Sequence, residues 1–366
     1  MFEDYYRGKK VLVTGHTGFK GSWLSLWLSE LGASVTGLGL EAPTKPNLYE
    51  IIGSNCFARE TRCDIRDLET LSDCLANAAP DVIFHMAAQP LVRRSYSDPL
   101  VTFETNALGT AHLLEVIRRA EMACTIVVIA TDKCYENQNW EQPYSETDAL
   151  GGHDVYSMSK AAAELVVQSW RNSFFAPNPK LGNVASGRAG NVIGGGDYAE
   201  DRLVPDCIRA LLAARPIEIR NPNATRPWQH VLDCLSGYLW LGARLAKSEK
   251  NSPLASAFNF GPDPQANQPV SVVVRELLRL WPGEWKHFKS DSAPHEAGQL
   301  NLAIDKAAKL LGWHPTWNFP EAIDQTVVWY RERHVSKSPD MLRFSRDQIS
   351  IFTAAARKKG AVWATA

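Results

Sequence analysis

The sequence predicts an α/β fold, a doubly wound parallel sheet with helices on both faces and a smaller C-terminal lobe. Two observations carry this. The first half alternates short β-rich runs with helix-patterned stretches. Two of those runs, Asp81-Val-Ile-Phe-His85 and Thr125-Ile-Val-Val-Ile-Ala130, lack polar alternation, as strands buried on both faces should. Strand, helix and strand joined by short turns give a parallel sheet.

In chain order, Lys10-Val-Leu-Val-Thr14 reads as the first strand and leads straight into a glycine turn. Residues 19–31 carry apolar residues at helical spacing, and Gly32 stops them. Ser34-Val-Thr-Gly-Leu38 is the second strand and Cys56-Phe-Ala-Arg59 a weaker third. Residues 101–120 read as one long helix. In the second half, residues 183–191 and Phe258-Asn-Phe260 suggest further strands. The Pro-, Asn- and Arg-rich stretches 197–230 and 261–269 read as excursions that build the lobe. This divides the chain into a dinucleotide-binding domain, 1–190 plus about 230–260, and a substrate-binding lobe, about 191–229 plus 261–366.

Composition excludes several classes. The 366 residues carry 39 Lys+Arg against 40 Asp+Glu, so no basic stripe points to nucleic acid. No stretch is apolar enough for a membrane span, and the first ten residues hold no signal-peptide core. Seven scattered cysteines, with no C-x-x-C pair, read as reduced thiols of a cytoplasmic protein. The nine histidines show no metal-ligand spacing, so no metal is expected.

Gly15-His16-Thr17-Gly18-Phe19-Lys20-Gly21 lies directly between the first strand and the first helix. Glycines allow a tight turn and close approach of backbone to a pyrophosphate, which the N–H groups of the new helix then receive. The residues of this loop are therefore candidates for the cofactor site. Lys20 serves equally well as a solvated helix residue. The segment after the second strand, Gly37-Leu-Gly-Leu-Glu41-Ala-Pro-Thr44, contains no arginine to clamp a ribose phosphate, so NAD is expected over NADP. Glu41 sits late for a ribose hydroxyl, which predicts loose binding. Asp64-Ile65, after the third strand, is a candidate for the adenine amino group.

Tyr156 and Lys160 lie four residues apart, on one face of a helix that starts near Asp154. A free phenol titrates near pH ~10. A neighbouring ammonium favours its phenolate, which can take a proton from a hydroxyl while hydride leaves the same carbon. The pair follows the strand end Ala130-Thr131 by about twenty-five residues.

The glycine loop, His85-Met-Ala-Ala88, Asn106-Ala-Leu-Gly-Thr110, Thr131, Tyr156 and Lys160 together resemble the extended short-chain dehydrogenase/reductase family, over residues 10–313 at least. The resemblance implies a Rossmann-type sheet with a C-terminal lobe, and a homodimer formed through two helices, 101–120 and 155–174. It adds Ala87, Ala88 and Gln89 to the cofactor residues, alongside Thr131, Tyr156 and Lys160. At the strand end, Thr131-Asp132-Lys133 resembles the Thr-Asp-Glu of nucleotide-sugar 4,6-dehydratases, where the Asp is the acid and the Glu the base. Here Lys133 stands in the place of that Glu. With Gly15–Trp23, Thr131–Asn137 and Pro294-His-Glu-Ala-Gly298, the pattern is similar to dehydratases acting on CDP-glucose. For this reaction Asp132 must be protonated. Lys133 is either a neutral base or an ammonium that stabilises an enolate. Arg226-Pro-Trp-Gln-His230 resembles the family's nucleotide-diphosphate segment. Asn191 and Arg202 are further substrate candidates, while Trp228 and His230 fit packing equally well. The base bound, cytosine, follows from the resemblance alone, and so does a role in making deoxysugars for surface glycans such as lipopolysaccharide O-antigen. A 4-epimerase would share the fold, NAD, Tyr156 and Lys160 without needing Asp132. A non-catalytic NAD-binding regulator would be expected to lose the Tyr/Lys pair.

Overall fold

The structure, a computed structural model, describes residues 1–288 and 300–365, so the 294–298 segment lies outside the described residues. Seven parallel strands form the sheet. They are β1 (Lys10–Thr14), β2 (Ser34–Gly39), β3 (Arg59–Arg62), β4 (Val82–His85), β5 (Thr125–Ile129), β6 (Val184–Ala189) and β7 (Ala257–Phe260). Their order is β3-β2-β1-β4-β5-β6-β7. Strand order reverses between β1 and β4, which opens a crevice at their C-terminal ends.

Alternation along the central strands feeds two cores. Val11, Val13, Val82, Phe84, Val127 and Ile129 face one cluster; Leu12, Ile83, Ile126 and Val128 face the other. Helix α1 (Phe19–Glu30) leaves the glycine loop. Helix α2 (Gly109–Arg119) and helix α3 (Val155–Trp170) pack together on one face. Helix α4 (Val231–Ala246) is buried almost all round, between β5 and β6 on one side and C-terminal segments on the other. Helices α5 (Phe319–Val335) and α6 (Met341–Lys358) follow, and a short helical turn, Val362–Thr365, comes after them. Phe2 and Trp27 meet Trp363, and Phe352 meets Trp27, Trp317 and Trp363, tying both termini to α1.

Two elements differ from the sequence reading. The third strand is Arg59–Arg62, three residues later than expected, and Cys56 ends a 3-10 turn, buried in the core. As an edge strand, β3 is held by pairing to β2 and needs no apolar run. The expected helix 101–120 is three pieces: Pro99–Phe103, a π-helical turn at Glu104–Leu108, and α2. The extra residue turns Asn106 inward. Its side chain accepts from Gln89 N at 2.8 Å and donates to Gln89 O at 3.1 Å and Ser159 Oγ at 2.9 Å. Such π-bulges gather at functional sites.

Helix α4 begins with a buried acid, Asp233, whose carboxylate accepts the backbone N–H groups of Thr316 and Trp317. Burial pushes this carboxyl up to about 7, against the lowering by those two bonds. Asp233→Ala should orphan both donors and cost about 2–4 kcal/mol in urea unfolding. A carboxyl raised in the folded state keeps its proton where the unfolded chain has lost it, so its contribution to stability falls as pH rises from about 4 toward 7. The stability of wild type relative to Asp233→Asn should therefore be greater at pH 5 than at pH 8. The opposite trend would contradict the buried-acid account.

Candidate active site

A cleft of about 2470 Å³ runs along the C-terminal ends of the strands. The glycine loop forms its floor at β1. Gly15 has φ of +73°, and a Cβ there would lie 2.8 Å from the Ala87 backbone. A Cβ on Gly21 would lie 2.2 Å from the Gly15 carbonyl oxygen. Only glycine fits either place. Gly18 caps α1 with no side-chain hydrogen bond, so the first N–H groups of the helix face the cleft unclaimed by a cap. The Thr14 hydroxyl accepts the N–H groups of Met86 and Ala87 at 3.0 and 3.1 Å, locking the 86–89 loop against the turn. This cradle suits a dinucleotide pyrophosphate.

Gly15, Thr17, Gly18, Phe19, Lys20 and Gly21 line the cleft, as do Asp64, Ile65, Ala87, Ala88 and Gln89. His16 does not. Its imidazole packs beneath Gly37 and bonds Glu60 at 3.1 Å, and burial holds it below the usual histidine range. Asp64 faces the cleft already bound to Arg66, at 2.6 Å to Nη2, and that partner holds its carboxyl low. The second-strand end, which contains no arginine in its own segment, receives one from β3. Arg62 donates to Glu41 at 2.8 Å, and Glu41 lines the cleft where Arg62 does not.

Thr131, Asp132, Lys133, Tyr156 and Lys160 converge at the end of β5. Helix α3 starts at Asp154, whose carboxylate accepts Ser157 N at 2.9 Å, and this start turns Tyr156 and Lys160 into the cleft. Burial pushes the Tyr156 phenol up to about 12, with a Thr131 hydrogen bond opposing. Burial also pushes Lys160 down to about 8, and its Nζ donates to the Ile129 carbonyl at 3.0 Å. Lysine is thus not what shifts the phenol in this state; the nearby cation that favours its phenolate is Arg202. Asp132 is 1% exposed, and burial raises its carboxyl against the pull of Lys133, Arg226 and Lys20. Thr131 Oγ1 donates to Asp132 Oδ1 at 2.9 Å, while Oδ2 is buried with no partner. A Cβ on Gly190 would lie 3.0 Å from that oxygen, so glycine preserves its space.

On the lobe side, Asn191, Arg202 and Arg226 line the cleft. Arg202 is anchored to Asp197 at 2.8 Å, and Arg226 Nη1 donates to Thr225 O at 2.7 Å. His230 lies outside the cleft, contrary to the sequence expectation. It is fully buried, its Nδ1 accepts Leu232 N as the N-cap of α4, and its ring meets Trp317 edge-on at 4.7 Å. A polar residue just before a helix is as much a capping signal as a binding one. Asn106 and Arg62 are the residues that site reasoning missed. Asn106 stood inside a recognised motif, whereas no local pattern marks Arg62.

Residues 12–252 match the family model described as GDP-mannose 4,6 dehydratase. The chain belongs to that family. Within reach of the family, the CDP-glucose 4,6-dehydratase of Salmonella typhimurium is 45% identical over 96% of this chain and 98% of its own length. The dTDP-glucose 4,6-dehydratase of Haemophilus influenzae is 26% identical over 87% of this chain and 97% of its own. Among solved structures, MoeE5 in complex with UDP-glucose and NAD is similar at a TM-score of 0.73 and 25% identity, covering 89% of this chain and 99% of that one.

The family's glycine loop generates a direct test here. Gly21→Ala forces a methyl group into the Gly15 carbonyl, and should weaken NAD⁺ binding by roughly 100-fold, read from tryptophan quenching. Far-UV circular dichroism should stay that of wild type. Unchanged NAD⁺ affinity would remove the loop from the cofactor site.

Proposed function

We propose that this chain is an NAD-dependent CDP-glucose 4,6-dehydratase, a hydro-lyase that converts CDP-glucose into CDP-4-dehydro-6-deoxyglucose and water. The observation that carries the reading is Asp132. A carboxyl buried at the end of β5, raised by that burial and with one oxygen buried and unpartnered, lines the same cleft as Tyr156 and Lys160; loss of a C6 hydroxyl needs such a group and a 4-epimerase does not. The 45% identity to a CDP-glucose 4,6-dehydratase over 96% of the chain supports the substrate.

Bound NAD⁺ supplies the hydride acceptor for C4 and the hydride donor for C6. Tyr156, as its phenolate, takes the proton of the C4 hydroxyl; before that transfer its charge is offset by Arg202 nearby and by Lys160 one turn along α3. The C4 ketone acidifies the C5 hydrogen. Lys133 stands in the position to handle that proton, as a base or as an ammonium on the enolate. Asp132 gives its proton to the leaving C6 hydroxyl. Arg226 and Arg202 face the nucleotide diphosphate, whose bidentate oxygens suit a guanidinium. Glu41, holding Arg62, presents a carboxylate at the second-strand end, which favours a free ribose diol over a 2′-phosphate.

Residues 1–190 with about 230–260 carry the cofactor in this reading, and 191–229 with 261–366 the nucleotide sugar. Leu100, 74% exposed, and Leu165, 53% exposed, with Leu108 and Met158, leave an apolar surface on two neighbouring helical segments, which supports a homodimer through them. Among the described residues no helix is long and apolar enough to cross a membrane. We place the enzyme in the cytoplasm, ahead of deoxysugar assembly.

Incubation with CDP-glucose and NAD⁺, followed by alkali, should give the ultraviolet chromophore of a 4-keto-6-deoxy sugar. Two variants should separate oxidation from elimination. Tyr156→Phe should lower C4 oxidation by about 10²–10⁴-fold, so little enzyme-bound NADH appears. Lys133→Met should still oxidise C4 and accumulate NADH, yet incorporate almost no solvent deuterium at C5. Wild-type deuterium exchange and turnover in Lys133→Met would assign the C5 proton to another group.

A further inference from the structure

Beneath the cleft lies a buried ion pair that no motif marks. Glu164 sits one turn beyond Lys160 on the same face of α3. Its carboxylate is 4% exposed, as is the Arg188 guanidinium that faces it from β6. Oε2 receives Arg188 Nη2 at 2.9 Å and the Ser186 hydroxyl at 2.8 Å. Oε1 is buried without a hydrogen-bond partner. The other arm of Arg188 donates to the Tyr135 hydroxyl at 2.8 Å, immediately past the turn that bears Asp132 and Lys133. Desolvating two charges commonly costs more than their attraction returns, and an apolar pair of equal volume would serve the fold as well. The placement of this pair under the catalytic lysine needs another reason.

We propose that Glu164 is a positioning residue for Lys160: clamped by Arg188 and Ser186 one helical turn away on the same face, its carboxylate is the counter-charge of the lysine at the cleft floor. The proposal rests on the roles given above to Tyr156 and Lys160. Among the described residues, the groups that face Lys160 are few. Cys134 comes from the turn after β5, Lys20 from α1, His85 from β4, and Tyr156 and Glu164 from α3, with Arg188 of β6 behind Glu164. Burial pushes the Cys134 thiol up and His85 down to about 3, so both are neutral near pH 7. Lys20 repels the ammonium. Burial would raise the Glu164 carboxyl as well, but Arg188 and Ser186 outweigh it and hold it below the usual range. Among these groups Glu164 alone brings negative charge to Lys160.

The test is the pH dependence of kcat/KM for CDP-glucose with NAD⁺, which reports the ionisations of the free enzyme. The wild-type rate should fall above about 8, as Lys160 loses its proton. Glu164→Gln should move that alkaline limb to lower pH by about one unit or more, with KM at pH 6.5 unchanged. Because the single variant leaves a buried guanidinium unpaired, Glu164→Gln/Arg188→Met is measured beside it and should shift the limb in the same direction. Glu164→Asp keeps the charge and should keep the limb near its wild-type position. An unshifted limb in either folded, active variant that lacks the carboxylate overturns the proposal. So does a Glu164→Asp limb displaced as far as that of Glu164→Gln. Near-normal turnover in Tyr156→Phe, or a wild-type profile flat to pH 10, overturns the underlying reading of Tyr156 and Lys160 instead.

Discussion

Asp132, Tyr156 and Lys160 are buried at the end of β5, and that burial decides what each group there can do. In water Asp132 would be ionised at neutral pH and Lys160 firmly charged. In the cleft the carboxyl is raised, the lysine falls to about 8, and the phenol rises to about 12. A carboxyl raised by burial and a lysine lowered to about 8 lie closer to neutral pH than their exposed counterparts, which general acid–base chemistry exploits. The cost of this arrangement spreads outward. Each buried charge needs a partner, so the Asp132–Cys134 turn and α3 are pinned to β6 through Arg188, Glu164, Ser186 and Tyr135.

Much of the fold was legible because it follows from burial. Strands β4 and β5 read correctly from their unbroken apolar runs, since a central parallel strand is covered on both faces. Strand β3 did not, because Arg59–Arg62 is a polar edge whose position is fixed by pairing to β2 and by the burial of Cys56. The helix at 101–120 read as continuous because a π-helical turn keeps the helical composition. Only the long-range bonds of Asn106 to Gln89 and Ser159 reveal why one residue more is needed.

The candidate site was legible where chemistry is local. The glycine loop, the strand-end acid and the Tyr/Lys helix each announce themselves within a few residues, and the topology brings them to one cleft. What depends on distant partners was not legible. Arg62 reaches Glu41 from the neighbouring strand, and Arg188 reaches Glu164 across the helix–sheet interface. His16 and His230 show the converse: both sit in motif-like positions, yet Gly37 makes room for one ring beneath the sheet edge, and the start of α4 uses the other as a cap. Motif position sets where the backbone runs, while packing decides where a side chain points.

The central claim is that one cleft oxidises C4, eliminates water across C5 and C6, and reduces C6 without releasing the cofactor. CDP-glucose carrying deuterium at C4 tests it most directly. The account predicts a 4-keto-6-deoxy product whose C6 methyl group holds that deuterium, with solvent hydrogen at C5, and no exchange of label with added unlabelled NADH. Recovery of the deuterium at C4 of a CDP-hexose, inverted and still bearing its C6 hydroxyl, would contradict it and make the chain an epimerase.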